Sequence, residues 1–404
     1  MARPGGELEP LPGEGVPPKP GDRDAHAQAH AVLACGLDGV GDEPRGFKPY
    51  FDFKQRLQED YGLTAGMDYT ALGMDASESL GEEDASGGIF RFFGSWELTG
   101  RGTDTPGAFV YKVEHRHAYS DVAPNGFGLE TGYVGVWAGP YSDQEWRWTN
   151  LFWSQRFAEG KGNFLVGFLD VTDFLDVYGM ASPWLHFLNL AFSTGSSSIG
   201  LPNDASFGAA AGAFVTDQVY VTGSLVDTNG DPTEPLDGLD TFLNDNEYFS
   251  HVELGFTPSY DRRYFDNTHV LIWHADQRDQ AGTSEGWGIN GSFTRFLDDK
   301  WMPFLRGGYA EDGGSLLSKS LSAGIGYYIK ERSDLLGVGL NWGEPNSDTF
   351  GSGLSDQYTA EAFYRVQMSP NFAITPDLQY ILDPALNPGV DSMWVLAVRL
   401  RLAL

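Results

Sequence analysis

Alternation of apolar and polar side chains with a period of two runs through most of the chain after Gly62. The last thirteen residues, SMWVLAVRLRLAL (392–404), show it most clearly. Trp394 and the even-numbered aliphatic residues that follow it share one parity, whereas Arg399 and Arg401 fall on the other. Because successive side chains of a strand point to opposite faces, this pattern predicts strands whose two faces meet different surroundings.

Segments of this kind predict sixteen strands, the first over Leu63–Leu72 and the last over Met393–Leu404. A further candidate, Glu130–Ala138, is assigned to a loop, because the connections then alternate between longer and shorter. Bacterial outer-membrane barrels have an even number of antiparallel strands, with long loops at one rim and tight turns at the other. The sequence therefore predicts an all-β fold, a 16-stranded antiparallel transmembrane β-barrel over 62–404, wide enough for an aqueous channel.

The N-terminal part of the chain has a different composition. Residues 1–46 are rich in proline, glycine and charge, which predicts a disordered segment. No apolar core follows a basic start, so no signal peptide is visible. Residues 47–61 (FKPYFDFKQRLQEDY) have helical spacing and are followed by Gly62, which predicts a short amphipathic helix before the first strand.

Composition excludes several classes of protein. The chain has 404 residues with 56 acidic and 26 basic side chains, so its formal charge of −30 makes nucleic acid an unlikely partner. The single cysteine, Cys35, excludes an intramolecular disulfide. No stretch approaches the ~18 consecutive apolar residues of a membrane-spanning helix. Tryptophans lie near the predicted strand ends and predict two aromatic girdles: Trp137, Trp146, Trp148, Trp273, Trp287, Trp301, Trp342 and Trp394.

If the apolar parity faces lipid, the other parity lines the interior of the barrel. A charge facing lipid at mid-membrane costs roughly 2–4 kcal/mol, so charges should all face inward. Inward residues of both signs suit a polyhydroxylated solute, although internal ion pairs that stiffen the barrel are an equal alternative. The candidate solute-contacting residues on the predicted wall are Arg91, Glu97, Lys112, Glu114, Arg116, Arg306, Glu361, Arg365, Arg399 and Arg401.

The longest predicted connection, 171–205, is strongly apolar. An exposed loop of this composition would favour aggregation, so we expect it to fold back into the barrel and narrow it. Asp170, Asp173 and Trp184 would then lie near the constriction. In a soluble protein the same stretch could instead form a core helix.

No motif for catalysis or for a cofactor appears in the sequence. The stretch DTNGDPTEPLDG (227–238) has acidic and amide residues at positions 1, 3 and 5 of a calcium loop. Pro232 replaces the glycine at position 6 and Gly238 replaces the glutamate at position 12, so the match is poor. The sequence therefore predicts neither catalytic residues nor a metal or cofactor site.

Several stretches resemble the carbohydrate-selective porins of the OprB type: LQEDYGLTAGMDYTAL (57–72), LFWSQRFAEGKGNFLVGFLDVTDFLDVYGMASP (151–183), VDTNGD (226–231) and YILDPALNPGVDSMWVLAVRLRLAL (380–404). The resemblance covers about 47–404. It implies a sixteen-stranded barrel of the bacterial outer membrane that passes mono- or oligosaccharides by diffusion. It also implies a constriction lined by arginines, acids and aromatic residues.

Three matters stay open at this point. A general or anion-preferring porin is an alternative in the same location, and a soluble secreted β-rich carbohydrate-binding protein or hydrolase is an alternative of another class. The expected partners are carbohydrate solutes, outer-membrane lipid and the barrel assembly machinery, and a homotrimer is left open.

Overall fold

The structure is a computed structural model that describes residues 48–279, 281–330 and 333–404. Sixteen strands follow one another around a closed antiparallel barrel, in which β1 pairs with both β2 and β16. The strands are β1 (Leu63–Ala76), β2 (Asp84–Thr99), β3 (Gly107–Ala118), β4 (Glu145–Phe157), β5 (Gly162–Leu169), β6 (Ser206–Phe214), β7 (Val219–Asp227), β8 (Tyr248–Phe256), β9 (Asn267–Ala275), β10 (Gly286–Thr294), β11 (Trp301–Asp312), β12 (Leu317–Tyr328), β13 (Leu335–Pro345), β14 (Gln357–Ser369), β15 (Phe372–Leu382) and β16 (Ser392–Ala403). The predicted fold and strand count are confirmed.

A helix, α1 (Lys48–Tyr61), precedes the first strand, as the spacing in 47–61 predicts. It ends at Gly62, whose φ of +70° lies in the left-handed region that favours glycine. The Arg101 guanidinium donates hydrogen bonds to the carbonyl oxygens of residues 58–60, which lack partners within the helix. The predicted disordered segment 1–46 lies outside the described residues.

Three short helices lie in the connections: α2 (Phe127–Thr131), α3 (Asp237–Asn244) and α4 (Ser347–Phe350). Within the described part of the chain, no helix is long and apolar enough to cross a membrane.

The connections form two rims. The long-loop rim carries 77–83, 119–144, 170–205, 228–247, 276–285, 313–316, 346–356 and 383–391, and the short-turn rim carries 100–106, 158–161, 215–218, 257–266, 295–300, 329–334 and 370–371. The candidate strand 130–138 lies within the connection 119–144, as predicted. The predicted alternation of lengths fails at 313–316, because β11 extends to Asp312 and β12 begins at Leu317. In addition, 77–83 is no longer than 100–106, and 276–285 is no longer than 257–266.

Side chains of opposite parity occupy opposite faces of the wall. In β16, Leu396 is 57% exposed and Val398 49%, whereas Arg399 and Arg401 are 1% and 7% exposed. The outer face is a continuous belt of such apolar residues around the barrel. A soluble protein does not expose an apolar surface of this extent, so the soluble alternative is excluded and the belt faces lipid.

Strand β4 changes the parity of its inward side chains at a β-bulge. The pairing of β3 with β4 shifts register between Lys112 and Val113, so that no residue of β3 lies opposite Thr149. An extra residue of this kind turns the side chains that follow it to the opposite parity. Arg147 before the bulge and Arg156 after it are therefore both buried inside the barrel. The bulge explains why aromatic and polar residues mix on both parities of this strand.

Exposed aromatic residues lie on the outer wall near both rims. Trp146, Trp287 and Trp394 belong to the long-loop side, and Trp96 and Trp301 to the short-turn side. The assignment of Trp137 and Trp273 to these girdles is wrong, because both are fully buried inside the barrel. Trp273 takes an inward position of β9, and Trp137 belongs to a connection that folds into the lumen.

Candidate constriction of the channel

The connection 170–205 enters the lumen, as its apolar composition predicts. Asp170 begins its first turn by accepting a hydrogen bond from the Thr172 amide at 3.1 Å. Asn189 begins a later turn in the same way, with the Ala191 amide at 3.0 Å. Such side-chain caps satisfy backbone groups in a segment that forms neither a long helix nor a strand inside the barrel.

Aromatic residues of this loop pack against the inward face of the wall. Phe187 and Phe192 are fully buried, with their ring centroids 4.9 Å apart. Phe187 also meets Phe304 of β11 and Phe363 of β14, at 5.7 and 4.9 Å. Full burial of each such side chain contributes about 1.5–3 kcal/mol, so this contact holds the loop to the β11–β14 side of the barrel.

A buried charge cluster, which we call the loop latch, ties the loop to β9 and β11. Arg306 of β11 donates to Asp176 Oδ2 at 2.5 Å, and His269 Nε2 of β9 lies 2.7 Å from Asp176 Oδ1. The Gly195 amide donates to the same carboxylate at 2.7 Å, and the Asp176 amide donates to Glu253 at 2.9 Å. The side chains of Asp176 and Arg306 are 1% and 0% exposed.

Asp176 is held in its charged form and in an uncommon backbone conformation. Burial raises the pKa of Asp176, but the attraction of Arg306 and the hydrogen bond from His269 outweigh it, so the pKa lies below its ordinary value. Its φ of +49° lies in the left-handed region. Sequence reasoning missed Asp176, because nothing in DFLDV (173–177) distinguishes this acid from its neighbours before its distant partners are known.

Two further predicted lumen residues bind the backbone of the loop. Glu361 accepts hydrogen bonds from the amides of Leu188 and Asn189 at 2.6 and 3.1 Å. Arg399 donates to the carbonyl oxygens of Pro183 and His186, at 2.5 and 2.9 Å. Glu361, Arg399 and the latch residue Arg306 thus position the loop, and any contact of theirs with solute stays a prediction.

His186 is buried beside two arginines. Burial, followed by the positive charges of Arg365 and Arg399, lowers the pKa of His186 well below its ordinary value. The imidazole is therefore neutral at pH 7, which avoids a third positive charge beside these two arginines of the wall.

The opposite side of the loop faces β3 and β4 and is partly open. Lys112 Nζ lies 3.0 Å from the Asp173 carboxylate and 3.4 Å from that of Asp170. The side-chain Nδ2 of Asn150 donates to Asp173 at 2.8 Å. The Asp170 and Asp173 side chains keep 15% and 22% of their surface exposed. The structure thus brings Lys112, a predicted wall residue, together with Asp170 and Asp173, which the sequence placed near the constriction.

Trp184 lies against the wall at β2. Its ring lies under the Arg91 guanidinium, 3.7 Å from the ring centroid to Cζ. Arg91 and Arg401 both donate to Asp68, with Arg91 Nε 2.7 Å from Oδ1 and Arg401 Nη2 2.8 Å from Oδ2. These ion pairs with Asp68 fix the planar guanidinium of Arg91 over the face of the half-buried indole.

A second group of charges joins the wall to the end of the loop. Arg116 contacts Glu114 at 2.5 Å and Asp204 at 2.7 Å, and Arg147 also pairs with Asp204. Arg147 and Asp204 were not among the predicted site residues. The bulge in β4 hid the inward direction of Arg147. We call Arg91, Lys112 and Arg116 on the wall, together with Asp170, Asp173 and Trp184 on the loop, the constriction face.

Two of the predicted residues lie outside the constriction face. Glu97 is at the short-turn end of β2, where its amide pairs with the Gly62 carbonyl at 2.9 Å. Arg365 donates to the Ser333 carbonyl in the short connection 329–334 at 3.3 Å. Both therefore lie toward the short-turn mouth rather than in the constriction face.

A second long connection, 119–144, also enters the lumen, which sequence reasoning did not anticipate. Tyr133 and Trp137 are fully buried and stacked, with ring centroids 5.1 Å apart. The Tyr133 hydroxyl lies 3.2 Å from Asn189 Oδ1, and Gln357 of β14 bonds both backbone groups of Val134. The aromatic residues within 127–141 were the sequence feature from which the burial of this connection could have been predicted. The connection 119–144 packs against β1, β2, β15 and β16, and an open space inside the barrel is lined by residues of β3 to β9.

Comparisons with known proteins agree with this architecture. The family model of the carbohydrate-selective porins, OprB family, matches residues 112–269 and 257–404. The high-pH structure of Pseudomonas putida OprB superimposes with a TM-score of 0.68 at 12% identity, over 88% of this chain and 97% of that chain. A variant of the Rh. blastica porin gives a TM-score of 0.53 at 10% identity, over 85% of this chain and 100% of that chain.

Sequence comparison with curated proteins gives no match. At these identities the structural likenesses support the fold alone, and the family model supplies the assignment. Because that model matches most of the barrel, the chain belongs to the OprB family of carbohydrate-selective porins, in the bacterial outer membrane.

Proposed function

We propose that neutral mono- or oligosaccharides diffuse passively through the barrel along the constriction face, without any reaction being catalysed. The observation that carries this is a partly exposed indole, Trp184, beside the ion-paired guanidinium of Arg91 inside a carbohydrate porin. Sugar rings present an apolar C–H face and a rim of hydroxyl groups, which match an aromatic ring and fixed polar groups respectively.

The predicted site residues then divide into two roles. Arg306, Glu361 and Arg399 hold the loop, since their contacts go to its backbone or to the latch. Asp170, Asp173 and Trp184 keep exposed surface toward the opening and are the proposed solute contacts. Lys112 pairs with Asp170 and Asp173, and the Arg91 guanidinium lies over Trp184. Arg116 pairs with Glu114 and with Asp204 at the end of the loop.

Replacing Trp184 with alanine tests the proposed stacking contact. We expect the concentration of glucose that blocks half the single-channel current to rise about tenfold, which corresponds to ~1.4 kcal/mol of lost contact. The measurement is current through single barrels in a planar bilayer while glucose is titrated.

The matched control is Trp394→Ala, which removes a tryptophan that is 49% exposed on the outer wall. That variant should keep the glucose response of the unaltered protein. Equal responses of the two variants would show that Trp184 does not contact the sugar.

The acidic residues of the long-loop rim distinguish this proposal from an anion-preferring porin. Arg278 is the only arginine or lysine in the eight long connections, whereas acids occur in all of them except 313–316. The short connections carry both signs, as in Asp261-Arg262-Arg263 and Asp298-Asp299-Lys300. A rim of one sign raises the local concentration of counter-ions and repels ions of its own sign.

We therefore expect the pore to prefer potassium over chloride, with a permeability ratio above one that falls toward one as salt screens the rim. The reversal potential in a potassium chloride gradient measures this ratio. A reversal potential of the opposite sign would favour the anion-preferring alternative.

One barrel is sufficient for the proposed path, because both the loops and the wall come from the same chain. Lipid covers the apolar belt, and insertion requires the barrel assembly machinery. A homotrimer stays a prediction, and the mass of the purified protein in detergent tests it.

A further inference from the structure

A cavity of about 140 Å³ lies inside the barrel on the short-turn side of the loop 170–205. Its roof is the inner face of the loop, at Asp173, Phe174 and Val177. Strands β3 to β9 form its walls, and its edge reaches Lys161 and Arg263 at the short-turn rim. We call this space the inner vestibule.

The space exists because β6 has small inward side chains. In SFGAAAGAF (206–214), the inward positions include Gly208, Ala210 and Gly212, whereas Ala209 and Ala211 face outward and are exposed. The flanking strand β5 places a larger side chain, Leu165, directly opposite Ala210. A wall of glycine and alanine thus keeps open a volume that ordinary inward residues would fill.

The lining offers both an aromatic surface and polar groups. Phe174 lies on the roof and is partly exposed, and Asp173 beside it keeps a carboxylate toward the opening. Asn163 and Thr222 line the facing walls. The Thr222 hydroxyl oxygen is buried and has no hydrogen-bond partner among the residues that the structure describes. A buried polar atom without a partner is destabilising, so a ligand hydroxyl group that bonds to it would be stabilising.

We infer that the inner vestibule is a second carbohydrate subsite, which holds one neutral pyranose ring against Phe174 and binds its hydroxyl groups through Thr222 and Asp173. The inference rests on the proposed function, since it supplies the next binding position for a sugar that has passed the constriction face. The vestibule shares Asp170 and Asp173 with that face, but Thr222 and Ala210 belong to β7 and β6 rather than to β2 and β3, which carry the wall residues of the face.

Two substitutions test the subsite. Ala210→Leu fills the vestibule from an inward position that is 6% exposed. Ala211→Leu is the matched control: Ala211 also borders the cavity, but it has the opposite parity and is exposed, so the added atoms lie on the lipid face. We expect the Kd for glucose, taken from current block with sugar added at the short-turn side, to rise about tenfold in A210L and to stay unchanged in A211L.

Thr222→Val is a second test, because the leucine of A210L could also narrow the path for ions. This change removes the unpartnered hydroxyl at nearly constant volume, so ion conductance should stay unchanged while the Kd for glucose rises about threefold. A wild-type Kd in either A210L or T222V would overturn the subsite.

The same titration keeps the two proposals apart. If glucose fails to block the unaltered protein from either side, the proposed function itself fails. If glucose blocks the unaltered protein but A210L matches A211L, the subsite alone is wrong.

Discussion

Replacing Asp176 with asparagine should release the loop 170–205 from its latch and enlarge the pore. Asparagine keeps the size of the side chain and tolerates the left-handed backbone at this position, so the change isolates the loss of charge. Arg306 would then be buried without its counter-charge, which in buried ion pairs costs about 3–5 kcal/mol. This cost shifts the equilibrium constant between the latched and the displaced loop toward the displaced loop by roughly two to four orders of magnitude.

The measurable results are a higher single-channel conductance, larger current fluctuations and weaker block by glucose. The barrel itself should remain folded, because the wall pairing does not involve Asp176. Asp217→Asn is the control: its carboxylate forms a surface pair with Lys161 at 3.3 Å and is 91% exposed, where ion pairs contribute little. Wild-type conductance and glucose block in D176N would show that other contacts suffice to hold the loop.

Replacing Asp68 with asparagine should weaken the closure of the barrel. The Asp68 carboxylate binds Arg91 of β2 and Arg401 of β16, with all three side chains at most 8% exposed. Its loss leaves two arginines without a counter-charge where the first and last strands meet. We expect the free energy of unfolding to fall by about 3–5 kcal/mol, measured by urea unfolding from lipid vesicles with tryptophan fluorescence.

The matched control is Asp75→Asn, the same change on an exposed residue of the same strand. A second test is the double variant D68N/R401Q, which removes one of the two unpaired charges and should recover part of the loss. If D68N and D75N unfold at the same urea concentration, this ion pairing does not stabilise the closure.

The strands and the faces of their side chains could be predicted from sequence, because the barrel has lipid on its outside and water on its inside. Lipid excludes charge from one parity and lumen water accepts it on the other, so a strand such as β16 reveals both faces in its residue pattern. Prediction failed where a local irregularity changes parity. In β4 a single bulged residue, Thr149, placed Arg147 and Arg156 on the same side despite their different parities.

The interior was less predictable because its contacts join residues far apart in the sequence. Composition indicates that 170–205 must be buried, but not which wall residues hold it. The pairing of Asp176 with Arg306 spans 130 residues, and that of Asp68 with Arg401 spans 333. A list of inward charges therefore contained residues that hold the loop, such as Glu361, together with those that face the opening, such as Asp173.

Current through single barrels in a planar bilayer, with glucose or maltose added to either side, tests the carbohydrate path most directly. We expect discrete conductance steps that both sugars reduce as their concentration rises. Steps that neither sugar changes, or no conductance from correctly folded protein, would contradict a carbohydrate-preferring channel.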